Sequence, residues 1–355
     1  MYEGIIMDRC ALIISLNFNP GHVSHMVASY KQCEELGYTS YYYVTKEFVD
    51  FLPKDSRVLV YGQDAVESCD MAIFLFPARA NLKVIWQLKH LYDSRIVYIF
   101  HEPLAPMKVY RESGFSYKYL TKLWVINRIS ALTVRWSDVI LLPSRKAVGL
   151  YEQNKLYKNE NYYYLPLLFD DEYTAEYAKI ERKYFSYIGT IAVDHSFNEF
   201  LQFVEKAVKD DILPDIKFLI ATKSDFEVPK TLEESPRVVI RKGKPLSNDE
   251  INEAYASTDV VWNAYARTTQ SGVLAKSFMF GTPAIVLRKN LSEFTEDGQE
   301  VAAIDDNTSF EEIERAVLHI IGDFEHYSSS ARKRFEDIFF YRKYNEKMNQ
   351  ILSSL

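Results

Sequence analysis

Short apolar runs alternate with amphipathic stretches along the whole chain. An uninterrupted apolar run predicts a strand buried on both faces, whereas apolar residues three and four positions apart predict a helix. The predicted strands are 10–16, 41–44, 57–61, 71–76, 96–100, 138–142, 162–165, 184–190, 217–221, 238–241, 259–262 and 284–287. The predicted helices are 23–36, 82–92, 107–136, 197–208, 249–256, 273–280, 310–321 and 331–352. Because strands and helices alternate, we predict an α/β protein with doubly wound, Rossmann-like parallel sheets.

The stretch 169–182, FDDEYTAEYAKIER, is acidic and polar and lies between two apolar regions. At 355 residues the chain is long enough for two domains that each bury a core. We therefore place the domain connection in this stretch, so that the first domain comprises residues 1–168 and the second begins at residue 169. Two such domains facing each other would hold a ligand in the cleft between them.

Composition narrows the class of partner. The formal net charge of −7 gives no overall attraction to nucleic acid, so we expect no nucleic-acid partner. Cys10, Cys33 and Cys69 are too few and too scattered for a disulfide framework or a zinc site, which indicates a reducing compartment. No apolar run reaches the length of a membrane span. We expect a cytoplasmic protein, and peripheral attachment to the inner face of a membrane stays open.

The stretch 254–289 carries the clearest chemical signal. Between its predicted strand 259–262 and its predicted helix 273–280 lies a turn rich in hydroxyl groups, with the residues Thr268, Thr269, Gln270, Ser271 and Gly272. Such a turn leaves backbone N–H groups at the positive end of the helix dipole, which favours a phosphate or a ribose hydroxyl. The alternative is an ordinary N-capped helix.

Two further segments are candidates for binding or catalysis. His101 and Glu102 follow a predicted buried strand, and the carboxyl ends of strands are where open α/β sheets bind ligands. A loop histidine that caps a turn is the alternative. The segment 107–136 has six basic residues, one acidic residue and interleaved aromatic residues. That composition indicates contact with a membrane surface or an anionic acceptor, or else a solvated helix face.

Several segments together resemble the GT-B glycosyltransferases of family 4, the group 1 glycosyl transferases. The segments are NDEINEAYASTDVVWNAY and KSFMFGTPAIVL, with YFSYIGTI, SDVILLPS and YYYLP upstream. The resemblance implies that residues 1–168 bind an acceptor and residues 169–330 bind a nucleotide sugar. It also implies that a C-terminal helix in 331–355 crosses back to the first domain. The implied reaction transfers a hexose from a UDP-linked sugar to a lipid-linked or polysaccharide acceptor, without a metal or another cofactor.

The chain departs from that family at the donor site. Thr268 and Lys276 stand where the family has two glutamates, and Thr190 and the region of His195 stand where it has an arginine and a lysine after the opening Gly189. Other cations must then neutralise the pyrophosphate of the departing nucleotide. The candidates for this role are Lys223, Arg241, Lys242, Arg267 and Lys276.

The turn PGHVSH resembles the Gly-His-x-x-Pro turn of inverting GT-B transferases, and His25 stands in place of the proline. This makes His22 the first candidate for the base that activates an acceptor hydroxyl, followed by His25 and His101. Two other functions stay open. TTQSGVLAKSFMFGTPAIVLR also resembles non-hydrolysing nucleotide-sugar epimerases, and the missing glutamates are compatible with a catalytically silent scaffold subunit.

Overall fold

The computed structural model describes residues 9–66, 68–112, 116–192, 194–266, 270–306 and 308–354. The chain divides into two compact units. The first unit comprises the chain up to Asp170 together with the stretch from Tyr341 onwards, and the second unit comprises Asp171–Phe340. The predicted boundaries were 168/169 and 330/331.

A parallel sheet forms the centre of the first unit. Its strands are β1 Arg9–Ser15, β2 Tyr38–Val44, β3 Val58–Val60, β4 Met71–Phe74, β5 Arg95–Ile99, β6 Val139–Leu142 and β7 Tyr162–Tyr164. Their order in the sheet is β3-β2-β1-β4-β5-β6-β7, so the direction of winding reverses between β1 and β4. The helices that precede the second unit are α1 Val23–Glu35, α2 Asn81–Tyr92, α3 Met107–Glu112, α4 Tyr117–Trp136 and α5 Arg145–Gln153.

The second unit contains a parallel sheet of its own. Its strands are β8 Tyr184–Ile188, β9 Lys217–Ala221, β10 Val238–Arg241, β11 Thr258–Asn263, β12 Ala284–Leu287 and β13 Val301–Ile304. Their order is β10-β9-β8-β11-β12-β13, which is the Rossmann order with a reversal between β8 and β11. The helices are α6 Phe197–Lys209, α7 Lys230–Glu233, α8 Asn248–Ala256, α9 Gly272–Met279, α10 Phe310–Gly322 and α11 Phe324–Arg334. The predicted fold class, two doubly wound α/β units, is confirmed.

The inner strands of each sheet are buried because they are apolar on both faces. The strands β4, β6 and β12 are buried along their whole length. In the second unit, Phe185 of β8 packs against Phe200 of α6 with the ring centroids 5.2 Å apart. The uninterrupted apolar runs of the sequence thus correspond to strands covered by helices on both sides.

Two predicted helices are interrupted in the structure. The predicted helix 107–136 consists of α3 and α4, and Ser116 caps α4 by accepting a hydrogen bond from the Tyr119 N–H. The predicted helix 331–352 is wrong as one element. After α11 the chain forms a π-helical turn at Phe335–Phe339, becomes extended at Phe340 and forms a 3₁₀ turn at Tyr341–Tyr344. A last helix, α12, follows at Asn345–Ser353.

Polar contacts hold the last segment on α1 within the first unit. The carboxylate of Glu35 accepts hydrogen bonds from the Tyr341 hydroxyl at 2.6 Å, from Arg342 Nε at 2.8 Å and from Asn345 Nδ2 at 2.6 Å. These bonds and the charge of Arg342 hold the pKa of Glu35 below its ordinary value, against the effect of burial. One carboxylate therefore gathers three side chains of the returning segment.

Candidate active site

Glycine is required where the winding of the second sheet reverses. Gly189 follows β8 with φ of +145°, a conformation that L side chains rarely adopt. A Cβ atom at this position would lie 3.4 Å from Val273 Cγ2 of α9 and 3.5 Å from the Tyr265 hydroxyl oxygen beyond β11. The end of β8 therefore lies close to the start of α9, at the edge of the sheet where such folds bind nucleotides.

The first turn of α9 is a helix start capped by Ser271. The Ser271 hydroxyl accepts a hydrogen bond from the Leu274 N–H at 3.2 Å, and Asn263 Nδ2 donates to the same oxygen at 3.0 Å. Asn263 ends β11, so the strand fixes the cap of the helix that follows it. The first N–H groups of a helix have no partner within the helix, and they lie at its positive end. Gln270, just before the cap, is half-buried.

The loop after Gly189 is held by aromatic contacts that the sequence did not reveal. The imidazole of His195 lies parallel to the Tyr265 ring with the centroids 4.0 Å apart. Its Nδ1 lies 2.6 Å from the carbonyl oxygen of Thr190, which also accepts a hydrogen bond from the Tyr187 hydroxyl at 2.9 Å. Thr190 thus acts through its backbone. The signal available in the sequence was the aromatic residue Tyr265, two positions after the end of β11.

Three of the predicted cations lie at the carboxyl ends of the neighbouring strands β9 and β10. Lys223 follows β9 and is half-buried, and burial lowers its pKa. Arg241 ends β10 and is exposed, and its carbonyl oxygen accepts a hydrogen bond from the Thr222 N–H at 2.9 Å. Lys242 contacts Asp225 Oδ1 at 2.6 Å, so that carboxylate already offsets its charge. The structure therefore brings these cations to the same edge of the sheet as Gly189.

Lys276 occupies a different environment from those cations. Its side chain is 6% exposed, and its Nζ lies 2.7 Å from Oε1 of Glu172. Asn248 and Asn252 of α8 donate hydrogen bonds to the other oxygen of Glu172. Burial raises the pKa of Glu172, but the charge of Lys276 and these hydrogen bonds outweigh it and lower the pKa to about 2. Lys276 is therefore half of a buried ion pair, and we do not assign it to the donor phosphates.

Arg267, Thr268 and Thr269 were also predicted to bind the donor. They lie outside the residues that the structure describes.

The three candidate histidines of the first unit lie around one phenylalanine. The His22 ring is stacked on Phe76 with the centroids 3.3 Å apart, and the His101 ring lies on Phe76 at 4.5 Å. The centroids of His25 and His101 are 6.2 Å apart. The chain separates these residues widely, but β1, β4 and β5 are adjacent strands, so the loops that follow them meet. The predicted histidines are thus one cluster at the carboxyl edge of the sheet.

The histidines differ in what their surroundings allow. Burial and the neighbouring His25 lower the pKa of His101 to about 3, although its bond to the Leu75 backbone acts in the opposite direction. His101 is therefore neutral at physiological pH. His25 is buried, and its Nδ1 lies 3.0 Å from the carbonyl oxygen of Leu168. His22 is half-buried at the start of α1, and Glu102 is exposed beyond the cluster. His22 remains the best placed of the three to meet a substrate.

Two further observations concern the described part of the chain. Within it, no helix combines the length and the apolar character that crossing a membrane requires. Within the same residues, no group of three His, Cys, Asp or Glu side chains is arranged to hold a metal ion.

The second unit matches a known family. Residues 182–334 match the family model described as Glycosyl transferases group 1. The match lies within the second unit. Solved structures similar to the whole chain share its GT-B fold, so the predicted resemblance to group 1 GT-B glycosyltransferases is confirmed. No curated protein matches the sequence.

Three solved structures illustrate the similarity of fold. HepE from Anabaena, in complex with UDP and glucose, is 13% identical with a TM-score of 0.71, over 98% of this chain and 100% of that chain. Sucrose-phosphate synthase from Thermosynechococcus elongatus is 12% identical with a TM-score of 0.67, over 98% of both chains. A glycosyltransferase from Rickettsia africae is 11% identical with a TM-score of 0.67, over 98% of both chains.

Proposed function

We propose that this glycosyltransferase moves a hexose from a UDP-linked sugar to a lipid-linked or polysaccharide acceptor in cell-surface glycan synthesis, without a metal ion. The observation that carries the proposal is the close approach of Gly189, which has a φ of +145°, to the first turn of α9 where the winding of the second sheet reverses. A diphosphate fits this place because N–H groups at a helix start bind phosphate oxygens. The solved HepE structure, which contains UDP and glucose, supports UDP as the nucleotide.

Five of the predicted donor residues receive a role in this proposal: Gly189, Lys223, Arg241, Lys242 and Ser271. The N–H groups that follow Ser271 bind the diphosphate, and Gly189 lets the backbone approach it. Lys223 and Arg241 supply positive charge as the nucleotide leaves with its bonding electrons. Lys242 contributes less, because Asp225 offsets its charge.

In the first unit, His22 acts as the base that accepts the proton of the acceptor hydroxyl. An imidazole is the side chain most often used as a general base in catalysis. The stack on Phe76 holds the plane of the His22 ring, which reduces the cost of positioning the base. His101, with its pKa near 3, stays neutral and packs against the Phe76 ring.

We also propose that the first unit contacts a membrane surface through α3 and α4, where a lipid-linked acceptor would be found. Large apolar side chains of α4 are unusually exposed, including Tyr117 at 87% and Trp124 at 50%. They lie among lysines and arginines, as in helices that rest in the headgroup region of anionic bilayers.

The donor proposal is tested with nucleotides. UDP at a hundred times its Kd should raise the stability by about 2.7 kcal/mol, whereas GDP, ADP, dTDP and CMP should raise it less. Ser271→Ala should weaken the UDP response. The matched control is Ser309→Ala, because Ser309 caps α10 of the same unit by the same bond and lies on another helix. Each substitution should cost about 1 kcal/mol through the lost cap, but only Ser271→Ala should change UDP affinity.

The outcomes separate the competing functions. No response to millimolar UDP would contradict the donor proposal and favour a scaffold subunit. Conversion of a UDP-sugar in the absence of any acceptor would favour an epimerase. Release of UDP that depends on an added glycan or lipid-linked acceptor would support transfer.

A further inference from the structure

A groove of about 420 Å³ lies between α3 and α4 of the first unit. Its lining combines two basic side chains with apolar and aromatic ones. The lining residues are Met107, Lys108 and Arg111 on α3, with Leu120, Thr121 and Trp124 on α4. The size is within the range of sites that bind small ligands.

Helical spacing explains why these residues face one another. Lys108 and Arg111 are three positions apart, so both project from the same face of α3. On α4, Leu120 and Trp124 lie on one face, and Arg128 continues that face with its guanidinium 5.2 Å from the Trp124 ring centroid. The adjoining face of α4 is buried, with the residues Leu123, Asn127, Ser130, Thr133 and Val134. Trp124 is 50% exposed, so the groove is open to solvent beside that buried face.

The chemistry of the groove matches an anionic amphiphile. Lys108 and Arg111 line it together, and arginine and lysine bind phosphate oxygens through charge-assisted hydrogen bonds. Leu120, Met107 and the half-exposed Trp124 offer an apolar surface for a hydrocarbon chain. The hydroxyl of Thr121 donates to the Tyr117 carbonyl oxygen at 3.0 Å, so it is used within the helix. The whole chain is acidic, hence the attraction for an anion is local.

We propose that this groove binds one phosphate-bearing lipid of an anionic membrane surface. Lys108 and Arg111 contact the lipid phosphate, and Trp124 and Leu120 contact the adjoining part of an acyl chain. The proposal deepens the membrane contact proposed above and rests on it. It differs from diffuse adsorption of a basic helix, because it predicts a saturable site for a single lipid.

The test uses the full chain and dihexanoyl phosphatidylglycerol at concentrations below those at which it forms micelles. Trp124 fluorescence is followed in a background in which Trp86, Trp136 and Trp262 are replaced by phenylalanine. The expected result is a saturable change in Trp124 emission. The double variant Lys108→Gln with Arg111→Gln should weaken binding by about tenfold or more, because it removes charge-assisted hydrogen bonds.

The matched control is Lys118→Gln with Lys122→Gln, which removes the same charge from exposed positions of α4 outside the groove lining. It should change the affinity by less than about twofold, since a monomeric lipid has no extended surface potential. Equal weakening in both double variants, or emission that never saturates, would overturn the proposal. Equally tight binding of glycerol phosphate without acyl chains would identify a free phosphate site instead of a lipid site.

A second arm uses vesicles of phosphatidylcholine with and without phosphatidylglycerol. Co-sedimentation should require the anionic lipid and should decrease more in the groove variant than in the control variant. The UDP response is measured in the same variants and should be unchanged, so the lipid and donor proposals fail independently. Lost UDP binding with intact lipid binding would refute only the donor proposal.

Discussion

The buried ion pair between Glu172 and Lys276 is expected to stabilise the second unit strongly. A fall of the Glu172 pKa from 4.5 to about 2 corresponds to about 3 kcal/mol, at about 1.4 kcal/mol for each pH unit. Glu172→Gln removes the charge that compensates the buried Lys276, and such losses typically cost about 3–5 kcal/mol. We therefore expect Glu172→Gln to destabilise the second unit by about 3 kcal/mol or more.

A double replacement tests whether the loss of stability comes from the unpaired charge of Lys276. Glu172→Gln with Lys276→Met leaves no buried charge, so stability should return to within about 1 kcal/mol of the parent protein. The exposed pair between Glu181 and Lys183, with N–O distance 3.9 Å and Glu181 84% exposed, supplies the control. Glu181→Gln should change stability by less than about 0.5 kcal/mol.

Trp262 provides the assay because it is the single tryptophan of the second unit's sequence. In a background with Trp86, Trp124 and Trp136 replaced by phenylalanine, urea unfolding is followed by Trp262 fluorescence. The contribution of Glu172 should be complete above pH 4.5 and should disappear as the pH falls towards 2, because the folded state depresses its pKa. Equal stability of Glu172→Gln and Glu181→Gln, or a double variant as unstable as Glu172→Gln, would refute the reasoning.

Three further predictions concern the first unit. His22→Asn should lower kcat by about a hundredfold or more, whereas His101→Phe should lower it far less. The opposite result, measured with the same donor and acceptor, would identify His101 as the base. The pKa of His101 is near 3 in the folded state, so only the unfolded chain takes up this proton as the pH falls from 6.5 to 3. The free energy of unfolding should therefore decrease over that range. His101→Phe should make the decrease smaller, as measured by unfolding at a series of acid pH values. Glu35→Ala should release the segment that carries Tyr341 and Asn345, and amide hydrogen exchange in that segment should become faster. Exchange as slow as in the parent protein would contradict this prediction.

Local sequence was sufficient for all strands but Val301–Ile304 and for the start of α9. The run around Val260 is apolar because both faces of β11 are covered, and the predicted cap at Ser271 has the bond expected of a cap. These features depend on neighbours in the chain, which periodicity and turn chemistry describe directly. The short strand Val301–Ile304 and the helix Arg145–Gln153 were not predicted, because their apolar patterns are brief.

Long-range partners could not be predicted from one sequence. The destination of Lys276 depends on Glu172, which is 104 positions away, and nothing near Lys276 indicates that pairing. Likewise, Tyr341 completes its contacts with Glu35 across more than three hundred positions of the chain. The histidine cluster was only partly foreseen, since its assembly depends on the order of strands in the sheet. Side-chain contacts of this kind depend on the fold, so they cannot be predicted from the local sequence.

The first unit is assembled from two separate parts of the chain, with the whole second unit encoded between them. On the ribosome, Asp171–Phe340 is synthesised as one continuous block before the residues that contact Glu35 exist. The second unit can therefore fold early, whereas Glu35 of α1 meets Tyr341 only after the second unit has been synthesised. A chain that stalls or is truncated before Tyr341 would carry a folded second unit joined to an incomplete first unit, which is the form that quality-control proteases would meet.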